Sequence, residues 1–190
     1  MKNNVILIPA LNEEKNIKDI IIKFKKFGKV VVIDDGSIDC TYKFAKKHAD
    51  IVLKNNKNLG YDYSLKKGIK FVIKKFPKCF SILTADADNQ HKEKYIPIFQ
   101  KKIKKNDLLI GCRNFYNRKI EKKISDHCYK NFKIKDPLTG FKCYKTKMLK
   151  NNMKYINNKF DYYGMFFLVW IKNIKTKNVN ITVNKRKNRS

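Results

Sequence analysis

The sequence predicts an α/β domain in which a mostly parallel central sheet is flanked by helices. Short apolar runs, typical of buried strands, alternate along the 190 residues with segments whose apolar residues follow helical spacing. Three of these runs end in polar clusters, at residues 9–13, 34–37 and 86–90. Because the carboxyl ends of parallel strands share one edge of a sheet, we expect these clusters to form one site. The length suits a single domain over 1–190.

The first half of the chain carries the clearest alternation of strand and helix. The first strand is predicted at 5–8 and is ended by Pro9. The next helix is expected to begin at Asn12 as its N-cap and to close at Gly28. Asp39 is placed to cap the helix after the second strand. Further strands are predicted at the apolar runs 30–33, 51–53, 81–84 and 107–111.

Small residues mark the helix predicted after residue 60. Gly60, Ser64 and Gly68 lie four residues apart, so they form a smooth stripe along one face. Such a stripe allows the helix backbone to approach the sheet or a ligand closely, and both interpretations stay open.

The second half of the chain is less regular. A helix is predicted around 96–103, and residues 114–135 are interpreted as a loop with one short helix. A strand is expected at 141–144 and a last, half-exposed strand at 179–183. A helix over 160–173 and a basic tail over 185–190 complete the prediction.

The charge balance favours anionic partners. The formal net charge of +29 suits nucleic acid, acidic lipid headgroups or a phosphorylated substrate. Lys, Asn and Ile abound together, as in AT-rich coding, so part of this charge is expected to be solvated surface. Against that background, an Arg points to a site that needs a planar, two-pronged donor. The Arg residues are Arg113, Arg118, Arg186 and Arg189.

The cysteines and apolar runs indicate a cytoplasmic protein. The five Cys are scattered and form no CxxC pair, which argues against a zinc site or a disulfide framework. No signal peptide opens the sequence. The longest apolar run, 162–171, is shorter than the ~20 residues that span a bilayer. We expect a protein that is soluble or peripheral on the inner membrane face.

The segment with most chemical content follows the fourth predicted strand. Asp86 and Asp88 are one residue apart, so strand-like alternation would point both carboxylates the same way. Two such charges require a cation between them or a shared proton, and oxygen ligands, with Gln90 as a third, suit Mg²⁺ or Mn²⁺. A metal there could bridge a diphosphate. The alternative is an acidic turn that caps the next helix, and His91 is either a phosphate contact or a solvated turn residue.

Five segments, in order, resemble the motifs of family 2 glycosyltransferases. The closest branch is similar to the dolichyl- and polyprenyl-phosphate mannosyl- or glucosyltransferases, and the resemblance runs from about residue 4 to the end. No GxGxxG or Walker A loop is present, so phosphate binding would rest on metal and cations. The segments are Ile8–Glu14, Val32–Ser37, Asn58–Gly60 with Ser64 and Gly68, Asp86–His91 and Asp136–Phe141.

The resemblance implies a Rossmann-like GT-A fold, an inverting transfer and Mg²⁺ or Mn²⁺ as cofactor. Residues 1–111 would form the nucleotide-sugar-binding half, and 112–190 the acceptor-side half. Matched by position, Asp86, Asp88 and Gln90 would serve the metal. Residues matched to substrate contacts are Pro9, Leu11, Glu13, Ile33, Asp35, Asp86, Ala87, Asp88, Arg113 and Arg186.

Three residues are matched to the reaction itself. Asp88 would act with the metal, and Arg113 would contact the donor diphosphate or the acceptor phosphate. Asp136 is the candidate general base if the acceptor is a hydroxyl. Asp35 is also well placed to accept hydrogen bonds from a base or ribose.

The function expected from these features is transfer of a hexose from GDP-mannose or a UDP-hexose. The acceptor would be polyprenyl phosphate or another precursor of a bacterial cell envelope, with peripheral contact to anionic membrane. The alternatives are an inert nucleotide-sugar-binding protein of the same fold and a basic nucleic-acid-binding module. We expect no nucleic acid and no specific protein partner, because the basic residues are spread along the chain and no recognised nucleic-acid motif is present.

Overall fold

The computed structural model describes residues 3–116, 118–154 and 174–184, which form one seven-stranded sheet with helices on both faces. The strands are β1 (Asn4–Ala10), β2 (Lys29–Asp34), β3 (Ile51–Lys54), β4 (Ser81–Thr84), β5 (Leu108–Arg113), β6 (Lys142–Lys145) and β7 (Thr176–Ile181). The helices are α1 (Ile17–Phe24), α2 (Thr41–His48), α3 (Tyr61–Lys75), α4 (Ile96–Lys102), α5 (Lys119–Phe132) and α6 (Thr146–Asn151).

The sheet is mostly parallel, as predicted. Its order is β3-β2-β1-β4-β6-β5-β7, and among these described strands β6 alone runs antiparallel to its neighbours. The carboxyl ends of the other six strands therefore share one edge. The amino end of β6 reaches the same edge, and it brings residues 136–141 there. The α/β class with a mostly parallel sheet is confirmed.

The core has one layer on each face of the sheet. Alternation along β1 sends Ile6 and Ile8 to the layer that contains α1, α2 and α4, and Val5 and Leu7 to the layer that contains α3, α5 and α6. All four side chains are buried. The loops at the sheet edge are thus carried by a sheet that is packed on both sides.

The small-residue stripe packs α3 against the sheet. A methyl group added at Gly68 would lie 2.6 Å from Cδ1 of Leu7 and 2.7 Å from Cδ1 of Ile33. Ser64, one turn earlier, is fully buried. The close approach that the spacing allowed is therefore made to the sheet.

The first strand and the first helix differ from their predicted limits. β1 continues through Pro9, and its last residue, Ala10, accepts a hydrogen bond from the Asp35 amide at 2.8 Å. A proline at this position removes one donor without ending the ladder. Asn12 does not cap α1, because it has a φ of +53° and accepts a hydrogen bond from the Ile38 amide at 3.0 Å. The helix begins later and ends four residues before Gly28.

Residues 114–135 contain a full helix, α5, where a loop with one short helix was expected. The apolar stripe on its inner face has few residues: Ile120, Ile124 and Cys128 lie four residues apart. Of these three, only Cys128 is buried. Such a sparse stripe gives a weak periodic signal. The short helix α6 was also not predicted. The expected helix 160–173 and the basic tail 185–190 lie outside the described residues. Within the described ranges, no helix has the length and apolar character needed to cross a membrane.

The tight contact of α3 with the sheet gives the first prediction. Gly68→Ala should lower the free energy of unfolding by about 1–3 kcal/mol, because overpacking outweighs the better helix propensity of alanine. Lys70→Ala, on the exposed face of the same helix, is the matched control and should be close to neutral. Urea denaturation of both variants measures the difference, and equal stability of the two would contradict the close packing.

Candidate functional site

The site lies at the carboxyl edge of the sheet, where the loops after β1 and β2 are bonded to each other. The Asn12 amide donates to Oγ of Ser37 at 3.0 Å, and the Glu13 amide donates to Oγ1 of Thr41 at 2.7 Å. Asp39 accepts hydrogen bonds from the Thr41 amide at 2.9 Å and from the Glu14 amide at 3.2 Å. The N-cap residue of α2 is Cys40 and not Asp39 as predicted, although Asp39 does bond the first amide of the helix. The first two polar clusters therefore form one rigid surface.

Asp35 holds the loop between β3 and α3. Its carboxylate is 4% exposed and accepts hydrogen bonds from Nδ2 of Asn55 at 2.7 Å, the Leu59 amide at 3.0 Å and the Gly60 amide at 2.9 Å. Gly60 has a φ of +93°, a conformation that favours glycine. Oδ1 accepts two of these bonds and Oδ2 accepts one, which leaves Oδ2 capacity for one more donor.

The neighbouring carboxylate, Asp34, is buried without a hydrogen-bond partner. It is 0% exposed, and within the described residues neither of its oxygens is hydrogen-bonded. Burial raises the pKa of Asp34 above its ordinary value, and nearby Ser37 offsets part of this effect. Sequence reasoning passed over Asp34 because the adjacent Asp35 matched the motif.

Asp86, which follows β4, is enclosed by three other segments. Its amide donates to Nδ1 of His91 at 3.1 Å, and Oδ2 lies 3.8 Å from Nε2 of the same ring. A methyl group added at Gly140 would overlap the Asp86 carboxylate. Tyr61 is close as well: 43% of the residue is exposed, but burial of its phenol and then the charge of Asp86 raise the pKa of that group. Asp86 is therefore held in place before any ligand binds.

His91 is buried, so its interpretation as a solvated turn residue is wrong. The side chain is 5% exposed, and its ring lies 4.9 Å from the ring of Phe141, centroid to centroid. Burial lowers the pKa of His91, and the charge of Asp86 opposes this shift. The sequence placed His91 beside the carboxylate pair but contained no sign that the ring turns inward.

Asp88 and Gln90 form a tight turn that is tied to the segment after β7. The Gln90 amide donates to Oδ1 of Asp88 at 3.1 Å, and Asn89 between them has a φ of +60°. The side-chain amide of Gln90 donates to the Asn184 carbonyl at 3.0 Å, and the Asn184 amide donates back to the Gln90 carbonyl at 3.0 Å. Oε1 of Gln90 accepts no hydrogen bond from the described part of the chain and is free to bind a cation.

The donor atoms of this loop fit a metal that is shared with a substrate. Within residues 3–116, 118–154 and 174–184, no group of three or more His, Cys, Asp or Glu side chains could hold an ion. Mg²⁺, however, is commonly held by one or two carboxylates, several waters and the phosphates of a substrate. Asp86 and Asp88 are both partly exposed at the edge, and with Gln90 they offer only oxygen ligands.

The predicted cation and the predicted base form one ion pair. Arg113 donates from Nε to Oδ2 of Asp136 at 2.8 Å and from a terminal nitrogen to Oδ1 at 3.0 Å. Its backbone amide adds a bond of 3.0 Å to Oδ2. The side chain of Asp136 is 1% exposed, and that of Arg113 is 15% exposed. Burial lowers the pKa of Arg113, but the hydrogen bond and charge of Asp136 outweigh it, so the pKa is raised.

A further cation, Lys142, was missed by sequence reasoning. Its ammonium donates to the Pro137 carbonyl at 2.7 Å. Burial lowers the pKa of Lys142 to about 8, against the opposing charges of Asp136 and Asp86. The residue thus lies between the Asp86 loop and the segment before β6. Because the chain has 45 Lys and Arg residues, the sequence alone did not distinguish Lys142 from the other lysines.

The remaining predicted residues occupy the end of β1 or the core. Leu11 and Glu13 are partly exposed beside the β2 loop, and Oε2 of Glu13 accepts a hydrogen bond from Asn16 at 2.8 Å. Ile33 is fully buried in the core layer that contains α3. Arg186 lies outside the described residues. The last two predicted contacts, Pro9 and Ala87, are buried at the ends of β1 and β4.

Comparisons with known proteins identify a family. The model of glycosyl transferase family 2 matches residues 5–170. The uncharacterized protein MJ0544 of Methanocaldococcus jannaschii is 32% identical over 169 residues, which cover 77% of this chain and 73% of that protein. The uncharacterized protein MJ1222 of the same organism is 39% identical over 112 residues, 57% of this chain, and the match spans 45% of its length. A UDP-N-acetylglucosamine–dolichyl-phosphate N-acetylglucosaminyltransferase of Methanococcus voltae is 41% identical over 44 residues, which cover 22% of this chain and 18% of that enzyme.

Solved structures share the fold. One is glucosyl-3-phosphoglycerate synthase of Mycobacterium tuberculosis in complex with phosphoglyceric acid, with a TM-score of 0.69 at 16% identity. The match covers 100% of this chain and 73% of the synthase chain. The same enzyme with Mn²⁺, UDP and glucosyl-3-phosphoglycerate has a TM-score of 0.67 at 17% identity and the same coverage. At these identities the similarity establishes the fold.

The contrast between the adjacent carboxylates gives the second prediction. Asp34→Asn should stabilise the protein at neutral pH, because it removes a buried charge whose desolvation Ser37 and Lys54 offset only in part. Asp35→Asn should destabilise it by about 1–3 kcal/mol, because the amide cannot accept all three hydrogen bonds. The two variants differ by one position and serve as controls for each other.

The pH dependence follows from the raised pKa of Asp34. A carboxyl group whose pKa is higher in the folded state makes folding less favourable as the pH rises above the unfolded value of ~3.9. The gain from Asp34→Asn should therefore be small below about pH 4 and reach its full size once the pH passes the folded pKa. Thermal denaturation from acid to neutral pH measures it, and a gain independent of pH would contradict the assignment.

Proposed function

The chain belongs to glycosyl transferase family 2, and we propose that it transfers a hexose from a nucleoside-diphosphate sugar to a phosphate-bearing acceptor, with inversion. The observation that carries this proposal is the convergence of Asp35, the Asp86–Gln90 loop and Arg113 on one sheet edge. A carboxylate for the nucleoside, oxygen ligands for a metal and a fixed cation are the groups that such a transfer requires.

The donor is proposed to be a UDP-hexose, with GDP-mannose as the other candidate. The free acceptor capacity of Oδ2 of Asp35 suits a single N–H of a base. Pro9, Leu11 and Glu13 would line the nucleoside pocket above Ile33. The solved synthase with Mn²⁺ and UDP is similar in fold, which supports a uridine nucleotide.

Asp88 and Gln90 are the proposed metal ligands. Asp86 is proposed to contact both the metal ion and the sugar diphosphate, and Ala87 is proposed to contact the sugar diphosphate. A bound Mg²⁺ or Mn²⁺ would neutralise charge on the leaving diphosphate. The protein's own share is to hold these oxygens still. The turn of Asp88 is closed by its bond to the Gln90 amide, and its far side is fastened to Asn184.

The geometry of Asp136 favours a positioning role over that of general base. Its carboxylate already accepts three hydrogen bonds from Arg113, so both of its oxygens are occupied in this conformation. A phosphate acceptor needs no base, because it is already an anion. Arg113, which Asp136 holds in position, and the nearby ammonium of Lys142 would then bind the phosphate groups of the donor and the acceptor.

The class of acceptor is supported by the names of similar proteins. The relative from Methanococcus voltae is named as a transferase that acts on dolichyl phosphate, and the solved synthase is bound to phosphoglyceric acid. Both compounds are phosphate esters. We propose polyprenyl phosphate, met at the inner membrane face by a basic chain, as the first acceptor to test. Arg186 stays a proposed contact of this group.

The third prediction concerns the metal-dependent donor site. UDP with Mn²⁺ or Mg²⁺ should raise the thermal stability of the wild type, by about 2.7 kcal/mol at 100 times Kd, whereas UDP alone should have little effect. Asp88→Asn should abolish the metal-dependent part and leave the stability without ligand nearly unchanged. Asp126→Asn, on the exposed side of α5, is the matched control. If neither UDP nor GDP stabilises the wild type with metal, the donor site is wrongly assigned.

The fourth prediction concerns the acceptor. Transfer from UDP-glucose should occur to polyprenyl phosphate, whose phosphate oxygen attacks while UDP leaves, and should be absent with the corresponding polyprenols. Lys142→Met should raise the KM for the acceptor about tenfold or more, an effect of roughly 1.4 kcal/mol, without changing UDP binding. Lys147→Met, an exposed residue of α6, should change neither constant. Equal turnover of the alcohols would overturn the proposed acceptor class.

A further inference from the structure

The buried ring of His91 contacts both the backbone and the side chain of Asp86. Nδ1 accepts the Asp86 amide at 3.1 Å, while Nε2 lies 3.8 Å from Oδ2 of the same residue. Because Nδ1 accepts a hydrogen bond in the neutral ring, the proton of that ring is on Nε2 and faces the carboxylate. The separation is longer than a hydrogen bond, so the contact is electrostatic.

The ring has little freedom to move. Its centroid is 4.9 Å from that of Phe141, and Phe141 in turn packs edge-on against Phe99 at 4.9 Å. Gly140 also lies against the Asp86 carboxylate, where there is no room for a methyl group. The carboxylate is therefore confined between an imidazole and a glycine, both of which belong to the packed interior.

We propose that His91 is a positioning residue for Asp86, which it holds in the orientation that meets the metal and the sugar diphosphate. This inference rests on the proposed function, because the role of Asp86 is part of that proposal. Asp88, by comparison, is positioned by the turn that its bond to the Gln90 amide closes. Substitution of a residue that orients a metal ligand typically lowers the affinity for the metal 10–100-fold.

Two substitutions separate the contacts of the ring. His91→Phe keeps a ring against Phe141 and removes both nitrogens. His91→Asn places an amide oxygen near the position of Nδ1, so it can accept the Asp86 amide, but it does not reach the carboxylate. His127→Phe, at an exposed histidine of α5, is the matched control. Mn²⁺ affinity in the presence of UDP is measured by calorimetry, with thermal denaturation of each unliganded protein alongside.

His91→Phe should weaken the affinity for Mn²⁺ about tenfold or more. His91→Asn should recover part of the loss, and His127→Phe should match the wild type. In turnover assays, the loss should be largest at limiting Mn²⁺ and should shrink at saturating Mn²⁺. A ring that served packing alone would not produce this pattern, because His91→Phe preserves the packing.

The inference is overturned if His91→Phe binds Mn²⁺ as tightly as the wild type, or if His91→Asn is as weak as His91→Phe. In either case the wild type still binds UDP with metal, so the proposed function survives. If the wild type itself shows no metal-dependent binding of UDP or GDP, the proposed function fails and this inference fails with it. Should His91→Phe not fold, the comparison of His91→Asn with the wild type decides, and equal Mn²⁺ affinity overturns the role of Nε2.

Discussion

The antiparallel strand β6, inserted between β4 and β5, is the constraint on which the rest of the site depends. Because β6 runs against its neighbours, the segment before it reaches the same edge as the carboxyl ends of the parallel strands. Oγ1 of Thr84 donates to the Gly140 carbonyl at 2.7 Å, and this bond fixes the segment to the end of β4. Gly140 then closes over Asp86, and Asp136 reaches Arg113. The end of β4 and the segment before β6 therefore meet at one strand junction.

The acidic residues at this junction differ in how their charge is compensated. Asp136 is neutralised by a two-pronged Arg113, and Asp35 is held by amides of a loop. Among the residues that the structure describes, Asp86 has contacts that orient it but no strong hydrogen bond from a cation. Asp34 accepts no hydrogen bond on its side chain in the described part of the chain. This order separates carboxylates that build the site from those left available to a cation, because a carboxylate that already accepts strong hydrogen bonds has less to gain from a metal.

Much of the fold could be predicted from local patterns. Continuous apolar runs identified the strands, since a strand buried on both faces needs apolar residues at every position. The polar clusters at strand ends predicted the candidate functional edge, because the carboxyl ends of parallel strands lie on the same side of a sheet. The helix α5 was missed because its apolar stripe is sparse, with Ile120, Ile124 and Cys128 four residues apart among polar residues. Asn12 was assigned to a cap because its side chain suits one, whereas its actual partner, Ile38, lies 26 residues away.

The sequence by itself determined the class of fold, the edge that carries the site and the oxygen ligands offered there, because each depends on residues that are close in the chain. Only the tertiary structure decided what these ligands face. The pairing of Arg113 with Asp136, the ammonium of Lys142 and the inward ring of His91 depend on how β6 and its preceding segment pack against β4. Sequence spacing contains no information on such contacts, since they join segments that are distant in the chain and are set by packing in the folded core.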